Sequence, residues 1–267
     1  MTTCWGTKKD KTVNKETAFI RNGSKLLEKL VEIWDGKCNS IRRFSATELE
    51  KATNNYDPRK LLTEDSGYKL HTPIIVFEYV GEWTLKDCLW GSEEARCRPL
   101  QWIARSKIAM DMANAVAFLH AAFARPIVFR NITPSKILLD DNHEAKLSDF
   151  SLSISIPEGE SHVTDAGIMG TYGFVAPEYM TTGDFNEKQD VFNFGVFLLV
   201  LLSGQMQYDY DHSRPAEERF LEYHVKKCVE DDRLNEAIDS TIIAEGAWPG
   251  KEQQLQAFAA LALEMHL

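Results

Sequence analysis

The stretch that decides what this chain can be runs from Ile127 to Ser151. It reads Ile127-Val128-Phe129-Arg130-Asn131-Ile132-Thr133-Pro134-Ser135-Lys136-Ile137-Leu138-Leu139, and Ser148-Asp149-Phe150-Ser151 follows soon after. Asn131 is a neutral amide that cannot take up a proton, Lys136 is an ammonium with no acceptor, and Asp149 is a carboxylate. Any chemistry assigned to the stretch must be built from these groups and from the guanidinium of Arg130. The rest of the chain is ample to carry it. With 267 residues, 44% of them hydrophobic, and no long Gly, Ser or Gln tract, it can bury a core as one domain, or as one domain and a fragment.

Charge and cysteine usage narrow the class. A net charge of −10 and a pI of about 5.3 repel a phosphate backbone, and no basic stripe offsets them, so no nucleic acid partner is expected. The five cysteines (Cys4, Cys38, Cys88, Cys97 and Cys228) form no CxxC pair and are odd in number. A reduced intracellular chain with neither disulfides nor zinc is the simplest expectation. Lys8, Lys9 and Lys11 are not followed by an apolar run, so no secretory signal is expected. Residue 2 is Thr, so the myristoylation pattern is missing. The most apolar segment, Phe192 to Leu202, is interrupted by Asn193 and falls short of the ~20 residues that span a bilayer. It reads as a buried helix, with no transmembrane segment.

Local patterning supplies the elements. Residues 1–21 are polar and basic. Asn22-Gly23-Ser24 can cap a helix over Lys25 to Trp34, whose Leu27, Leu30, Val31 and Trp34 share one face, and Gly36 stops it. Leu100 to His120 reads as a strong helix with Ile108, Met112, Val116 and Leu119 spaced for one buried face. Ala145 to Phe150 reads as a short strand and turn. Asp190 to Val196 opens the central apolar helix, with Asp190 as its expected N-cap. Glu218 to Ile242 is charged and helical, and the last helix places Leu255, Phe258, Ala262 and Met265 on one face.

The opening stretch resembles the catalytic loop and metal-binding motif of a eukaryotic protein kinase, H-R-D-L-x-x-x-N followed by D-F-G. The spacing is kept while the chemistry is not. Phe129 stands at the His position, Asn131 at the Asp that accepts the substrate hydroxyl proton, and Lys136 at the Asn that holds a second Mg²⁺. Thr133 replaces a cation that the family places near the transferred phosphate. Upstream, Phe44-Ser45-Ala46-Thr47-Glu48-Leu49 through Tyr56 resembles the F-S-x-x-E-L-x-x-A-T-x-x-F element ahead of plant receptor-like kinase domains. Together with Asn22-Gly23-Ser24-Lys25-Leu26-Leu27-Glu28-Lys29-Leu30, it identifies the chain as a member of the ZRK-type receptor-like cytoplasmic pseudokinases. The resemblance implies an α+β, protein-kinase-like fold with a mostly helical C-lobe and a severely shortened β N-lobe. It divides the chain into a tail and amphipathic helix (1–43), a residual N-lobe and hinge strand (44–80), and a C-lobe truncated after the penultimate helix (81–267).

The shortened N-lobe removes what phosphate binding needs. Leu62 to Lys69 lies where the family has its glycine-rich loop, and Glu64 and Asp65 there would repel phosphates. Phe77, Glu78, Tyr79 and Val80 remain as the strand and hinge that touch adenine in the family, but the strand lysine and its helix glutamate fall in the gap. Loss of a positioned base alone costs about 10²–10⁴ in rate. No catalytic residue and no cofactor is therefore expected, and Asp149 would bind a metal only if a nucleotide binds. Lys136 and Asp149 either form an ion pair in place of the metal or stay apart as solvated charges. Arg130 either docks a phosphate on Ser151, Ser153, Ser155, Ser161 or Thr164, or is held by backbone carbonyls. Thr171 can bond the Asn131 amide. Phe129 and Phe150 form the lower half of a hydrophobic column whose upper half is missing, leaving apolar surface uncovered. Glu178 lacks the Arg that the family supplies from a later R-P motif, which weakens the lobe. Arg130, Glu178 and Asp190 are thus expected to be structural.

The function this implies is an inactive kinase homologue acting as an adaptor or scaffold in plant intracellular, innate immune signalling. The resemblance points to an NLR immune receptor and receptor-like cytoplasmic kinases as protein partners. It places the chain in the cytoplasm, or peripherally at the plasma membrane. One alternative is a weak Ser/Thr kinase or ATP-binding protein using Mg-ATP; the other is a non-functional truncated product.

Overall fold

The computed structural model describes residues 80–81, 83–91, 99–164, 167–210, 213 and 215–266, together with Glu48, Lys51, Ala52 and Asn54. The expected helix over 25–34, most of the Ile41–Tyr56 element, the 62–69 segment and Phe77, Glu78 and Tyr79 lie outside these residues. The chain divides between Tyr79 and Val80 into two units, and the second is the one described here.

That unit is α+β. Strand β1 (Trp83–Thr84) runs straight into helix α1 (Leu85–Trp90). Thr84 and Asp87 make the turn, each satisfying the other's backbone N–H, at 3.2 Å for Asp87 N and 2.9 Å for Thr84 N. Helix α2 (Trp102–Ala121) buries Trp102, Arg105, Ile108, Ala109, Met112, Val116 and Leu119, a stripe at helical spacing. It starts at Trp102, not at Leu100, because the Glu245 carboxylate caps it from a distant segment, accepting the Trp102 N–H at 2.6 Å.

Five short strands follow the same economy. Strand β2 (Ile127–Val128) pairs antiparallel with β5 (Ile154–Ser155), with Val128 opposite Ile154. Strand β3 (Ile137–Leu139) lies between β1 and β4 (Ala145–Leu147) in an antiparallel sheet. Residues 130–136 and the Asp149 turn therefore leave the same ends of paired strands and face one another.

Helix α3 (Pro177–Thr182) and helix α4 (Lys188–Ser203) follow the 167–176 segment. Apart from Lys188 and Val191, α4 is buried all round, because helices α2, α5 (Leu221–Glu230) and α7 (Lys251–Glu264) and the loops enclose it. At Gly195 a Cβ would lie 2.9 Å from the Ala262 carbonyl and 2.6 Å from His266 Nε2, so the α4–α7 approach needs glycine there. No helix among the described residues is long and apolar enough to cross a membrane.

Two expectations change. Cys88 on α1 is disulfide-bonded, against the expectation of a chain without disulfides, while Cys228 is a free buried thiol. An odd count and a missing CxxC motif do not exclude a disulfide. Asp190 is not the N-cap of α4. Glu187 occupies that position, and Asp190 lies in the first turn with its carboxylate directed inward.

Arg105 is a buried cation the periodicity does not flag. Its guanidinium donates to the carbonyls of Leu100 and Leu201 and to Asp239 Oδ2, each at 2.7 Å. Asp239 in turn caps helix α6 (Ser240–Ala244), accepting the Thr241 N–H at 2.7 Å. Burial works to raise the Asp239 pKa, but the Thr241 N–H and the Arg105 guanidinium outweigh it and hold the carboxyl below its ordinary value. Arg105→Met keeps the apolar stem and strands the carboxylate, so urea unfolding at neutral pH should show a loss of about 3–5 kcal/mol. A depressed folded pKa contributes stability above the unfolded value, about 3.9, and loses it as pH falls through the folded value. The acid limb of the stability profile should therefore be shallower in Arg105→Met than in the parent.

Candidate functional site

The site is built from the N-terminal turns of α4 outward. Asp190 is fully buried, and an isolated carboxylate there would be very unfavourable. Its two oxygens accept the backbone N–H groups of Phe129 and Arg130, each at 2.7 Å, and His120 Nε2 lies 2.9 Å from Oδ2. One turn on, Asn193 Oδ1 accepts the Ile132 N–H at 3.1 Å, and its amide nitrogen donates to the Phe174 carbonyl. Gln189 Oε1 accepts the Ala176 N–H at 3.1 Å. Three polar side chains on one apolar helix thus hold both the 129–132 loop and the 174–176 segment. Only Asp190 stands out from the sequence; Gln189 and Asn193 are legible solely as polar interruptions of an apolar run.

The clamp fixes Arg130 in a left-handed backbone conformation, with φ of 72°, which a non-glycine residue holds only when its surroundings enforce it. Its guanidinium donates to the carbonyls of Gly167 at 3.1 Å and Leu152 at 3.4 Å and to the Tyr179 hydroxyl at 2.6 Å. It also lies 4.6 Å from the Phe185 ring centroid. Tyr179 extends the network, donating to Gly167 O at 2.6 Å and accepting the Met169 N–H at 3.0 Å. Arg130 therefore ties the loop to the 167–169 segment through neutral acceptors.

Around this frame, Phe129 is buried and meets Phe150 edge-on at 5.1 Å, while Phe150 remains 39% exposed. Asn131 and Thr133 are buried, and Thr171 Oγ1 donates to Asn131 Oδ1 at 2.8 Å. Thr133 hydrogen-bonds Ser135 at 3.0 Å. Glu178 is exposed in the first turn of α3 and has no ion pair among the described residues. It lines a cavity of about 290 Å³ with His162, Tyr179, Asp184, Phe185 and Lys188. Val80 is half-buried at the start of the unit.

Lys136 Nζ is in direct contact with the Asp149 carboxylate. Asp149 also accepts the Ser151 N–H, at 3.2 Å, from its own left-handed turn. Burial works to raise the Asp149 pKa, but the Lys136 ammonium and the Ser151 donors outweigh it and leave the carboxyl below its ordinary value. The residues present do not fit a magnesium ion: the position beside the one carboxylate is taken by a covalently attached cation. Among the described residues no three His, Cys, Asp or Glu side chains gather elsewhere to hold a metal. Nor is there a carboxylate at Asn131 to accept a hydroxyl proton.

This arrangement defines a class: a protein kinase catalytic lobe that keeps the geometry of its loop while its reacting groups have been replaced. The profile of the protein tyrosine and serine/threonine kinase family matches residues 60–242. Over 91% of its length the chain is 32% identical to the non-functional pseudokinase ZED1 of Arabidopsis thaliana, covering 88% of that protein. It is 30% identical to the Arabidopsis non-functional pseudokinase ZRK2, over 96% of this chain and 86% of the relative. It is 30% identical to the Arabidopsis serine/threonine-protein kinase ZRK1, over 97% of this chain and 88% of the relative. The chain belongs to the protein kinase family, and within it to the ZRK-type receptor-like cytoplasmic pseudokinases of plants. With Asn131 and Lys136 at its reaction centre, it is a catalytically inactive member.

The Lys136–Asp149 contact sets a test of its own. Lys136→Glu puts two carboxylates together and should lower the melting temperature. The expected loss lies between the ~1 kcal/mol of an exposed ion pair and the ~3–5 kcal/mol of a buried one. The charge-swapped double variant Lys136→Glu/Asp149→Lys should recover part of it. An unchanged melting temperature in the single variant would mean that the pair does not hold the loop.

Proposed function

We propose that the chain works as an adaptor in plant intracellular signalling, presenting a kinase-shaped surface to protein partners without transferring phosphate. The observation that supports this most directly is the Lys136–Asp149 pair, which closes the metal position with the chain's own charge. A kinase acts almost wholly by positioning phosphate and neutralising its charge through metal ions, so a site occupied in this way has no route to that reaction. In this proposal Phe129, Asn131, Thr133 and Lys136 serve to keep the loop in shape. Arg130, Asp190 and Glu178 are structural, and Phe77 to Val80 are the remnant of a nucleotide pocket. No cofactor is bound. The N-lobe is reduced to residues 44–80, and residues 81–267 carry the function.

The proposed partners are an NLR immune receptor and receptor-like cytoplasmic kinases, and the proposed location is the cytoplasm. Kinship with the ZRK-type pseudokinases supports both. Two measurements test the proposal. Thermal melting with and without Mg-ATP should give superimposable curves; a site that binds nucleotide would gain about 2.7 kcal/mol at a concentration of 100 times Kd, and such a gain would overturn the inert site. Affinity purification of the tagged chain from leaf tissue should recover an NLR receptor or receptor-like cytoplasmic kinases by mass spectrometry. Recovery of chaperones alone would overturn the adaptor role.

A further inference from the structure

Tyr179 does more for the 167–169 segment than its place on α3 requires. The side chain is buried, with 1% exposure, yet its hydroxyl makes three hydrogen bonds. It donates to the Gly167 carbonyl at 2.6 Å, accepts from Arg130 Nη2 at 2.6 Å and accepts the Met169 N–H at 3.0 Å. A hydroxyl has one proton and two lone pairs, so its whole capacity is used. Two of the three partners lie in the 167–169 segment, and the third is the guanidinium carried by the 129–132 loop. One oxygen atom therefore joins helix α3, the segment and the loop.

The same contacts close the guanidinium. Arg130 Nη2 also donates to Gly167 O at 3.1 Å, and Nη1 donates to Leu152 O at 3.4 Å. All these acceptors are neutral, and no carboxylate pairs with Arg130 among the described residues. Its Nε has no partner there and is sealed from solvent. The Phe185 ring covers the guanidinium at 4.6 Å and packs against the Tyr179 ring at 4.9 Å. Phe185 is itself pinned, its N–H and carbonyl paired with Val163 at 3.1 and 2.8 Å. A buried cation ordinarily draws an anion, because burial without one is costly. Here a hydroxyl, two carbonyls and two ring faces meet that demand.

We propose that Tyr179 is a built-in latch that stands in for an anion at Arg130. It holds the 167–169 segment in place without phosphate. It also closes the guanidinium to phosphate, whether free or carried on the serines and Thr164 of residues 151–164. For a phosphate to reach Nη2, the hydroxyl must leave, and the Gly167 carbonyl and Met169 N–H then lose their shared partner. The entering dianion must also shed its water beside the Phe185 ring. Order in the segment is then a property of the fold, and modifying those side chains does not switch it. The latch stands whether or not the chain is an adaptor.

The test is hydrogen–deuterium exchange of the full chain, read by mass spectrometry over peptides spanning 167–171. In the parent, exchange there should be the same in inorganic phosphate as in chloride at matched ionic strength. Tyr179→Phe keeps the ring against Phe185 and removes the hydroxyl. Those peptides should then exchange at least about threefold faster, as expected for one net hydrogen bond, while a cooperative melt shows that the lobe is folded. Phosphate should slow them again in this variant, because Arg130 Nη2 has lost its neutral partner. Selective slowing of 167–171 by phosphate in the parent would overturn the latch, and that measurement needs no variant. Unchanged exchange in Tyr179→Phe would overturn it too, since other contacts would then hold the segment. So would a folded Tyr179→Phe chain that ignores phosphate, because the hydroxyl would then not be what excludes the anion.

Discussion

A single buried carboxylate organises this lobe. Asp190 has no solvent to stabilise its charge, so it must be surrounded by donors, and two of those donors are the backbone N–H groups of Phe129 and Arg130. A backbone N–H does not depend on the side chain attached to it. The clamp therefore tolerates Phe at 129 as readily as any other residue, while it still forces Arg130 into a left-handed conformation. Asn193 repeats the device one turn later with the Ile132 N–H. The loop keeps the kinase shape because a folding contact holds it, and that contact has no share in phosphoryl transfer.

The substitutions in the loop are consistent with one another. Phe129 gains a core position and an edge-on contact with Phe150. Asn131 keeps a hydrogen bond from Thr171 while giving up basicity. Lys136 supplies to Asp149 the positive charge that a metal ion would otherwise bring, and it does so without a diffusible partner. A carboxylate in a partly buried turn needs a cation or several donors to remain charged. Providing that cation from the chain itself keeps the Asp149 carboxylate charged in its turn. The loss of catalysis and the stability of the turn thus have the same physical origin.

Much of the lobe was legible in the sequence. The helical stripe of Ile108, Met112, Val116 and Leu119 and the apolar run after Phe192 follow from periodicity and length alone. What periodicity misses is polar and long-range. Asp190 has the residue type of an N-cap, yet its carboxylate turns inward to accept the N–H groups of Phe129 and Arg130, about sixty residues away in the sequence. Asn193 looked like a flaw in an apolar helix and is a bridge between two loops. Arg105 sits at a core position that a hydrophobic count passes over, and its partner Asp239 lies far along the chain. Each of these depends on which distant segments the fold brings together, and spacing within one segment carries no record of that.

The inert site and the 167–176 segment are held by one set of contacts. Thr171 bonds Asn131 in the loop, and the next residue, Tyr172, packs edge-on against Tyr208. Arg130 and Tyr179 tie the 167–169 segment to the same loop through backbone acceptors. In a kinase, the segment that receives protein substrates is ordered by events at the reaction centre, including metal and phosphate binding. Here it is ordered by contacts the chain makes with itself. A surface built on such a segment exists without nucleotide, so its affinity for a partner carries no cost of first populating a nucleotide-bound state. Under the proposed adaptor role, replacing the reacting groups therefore does more than abolish a reaction: it leaves the 167–171 segment assembled by the chain's own contacts.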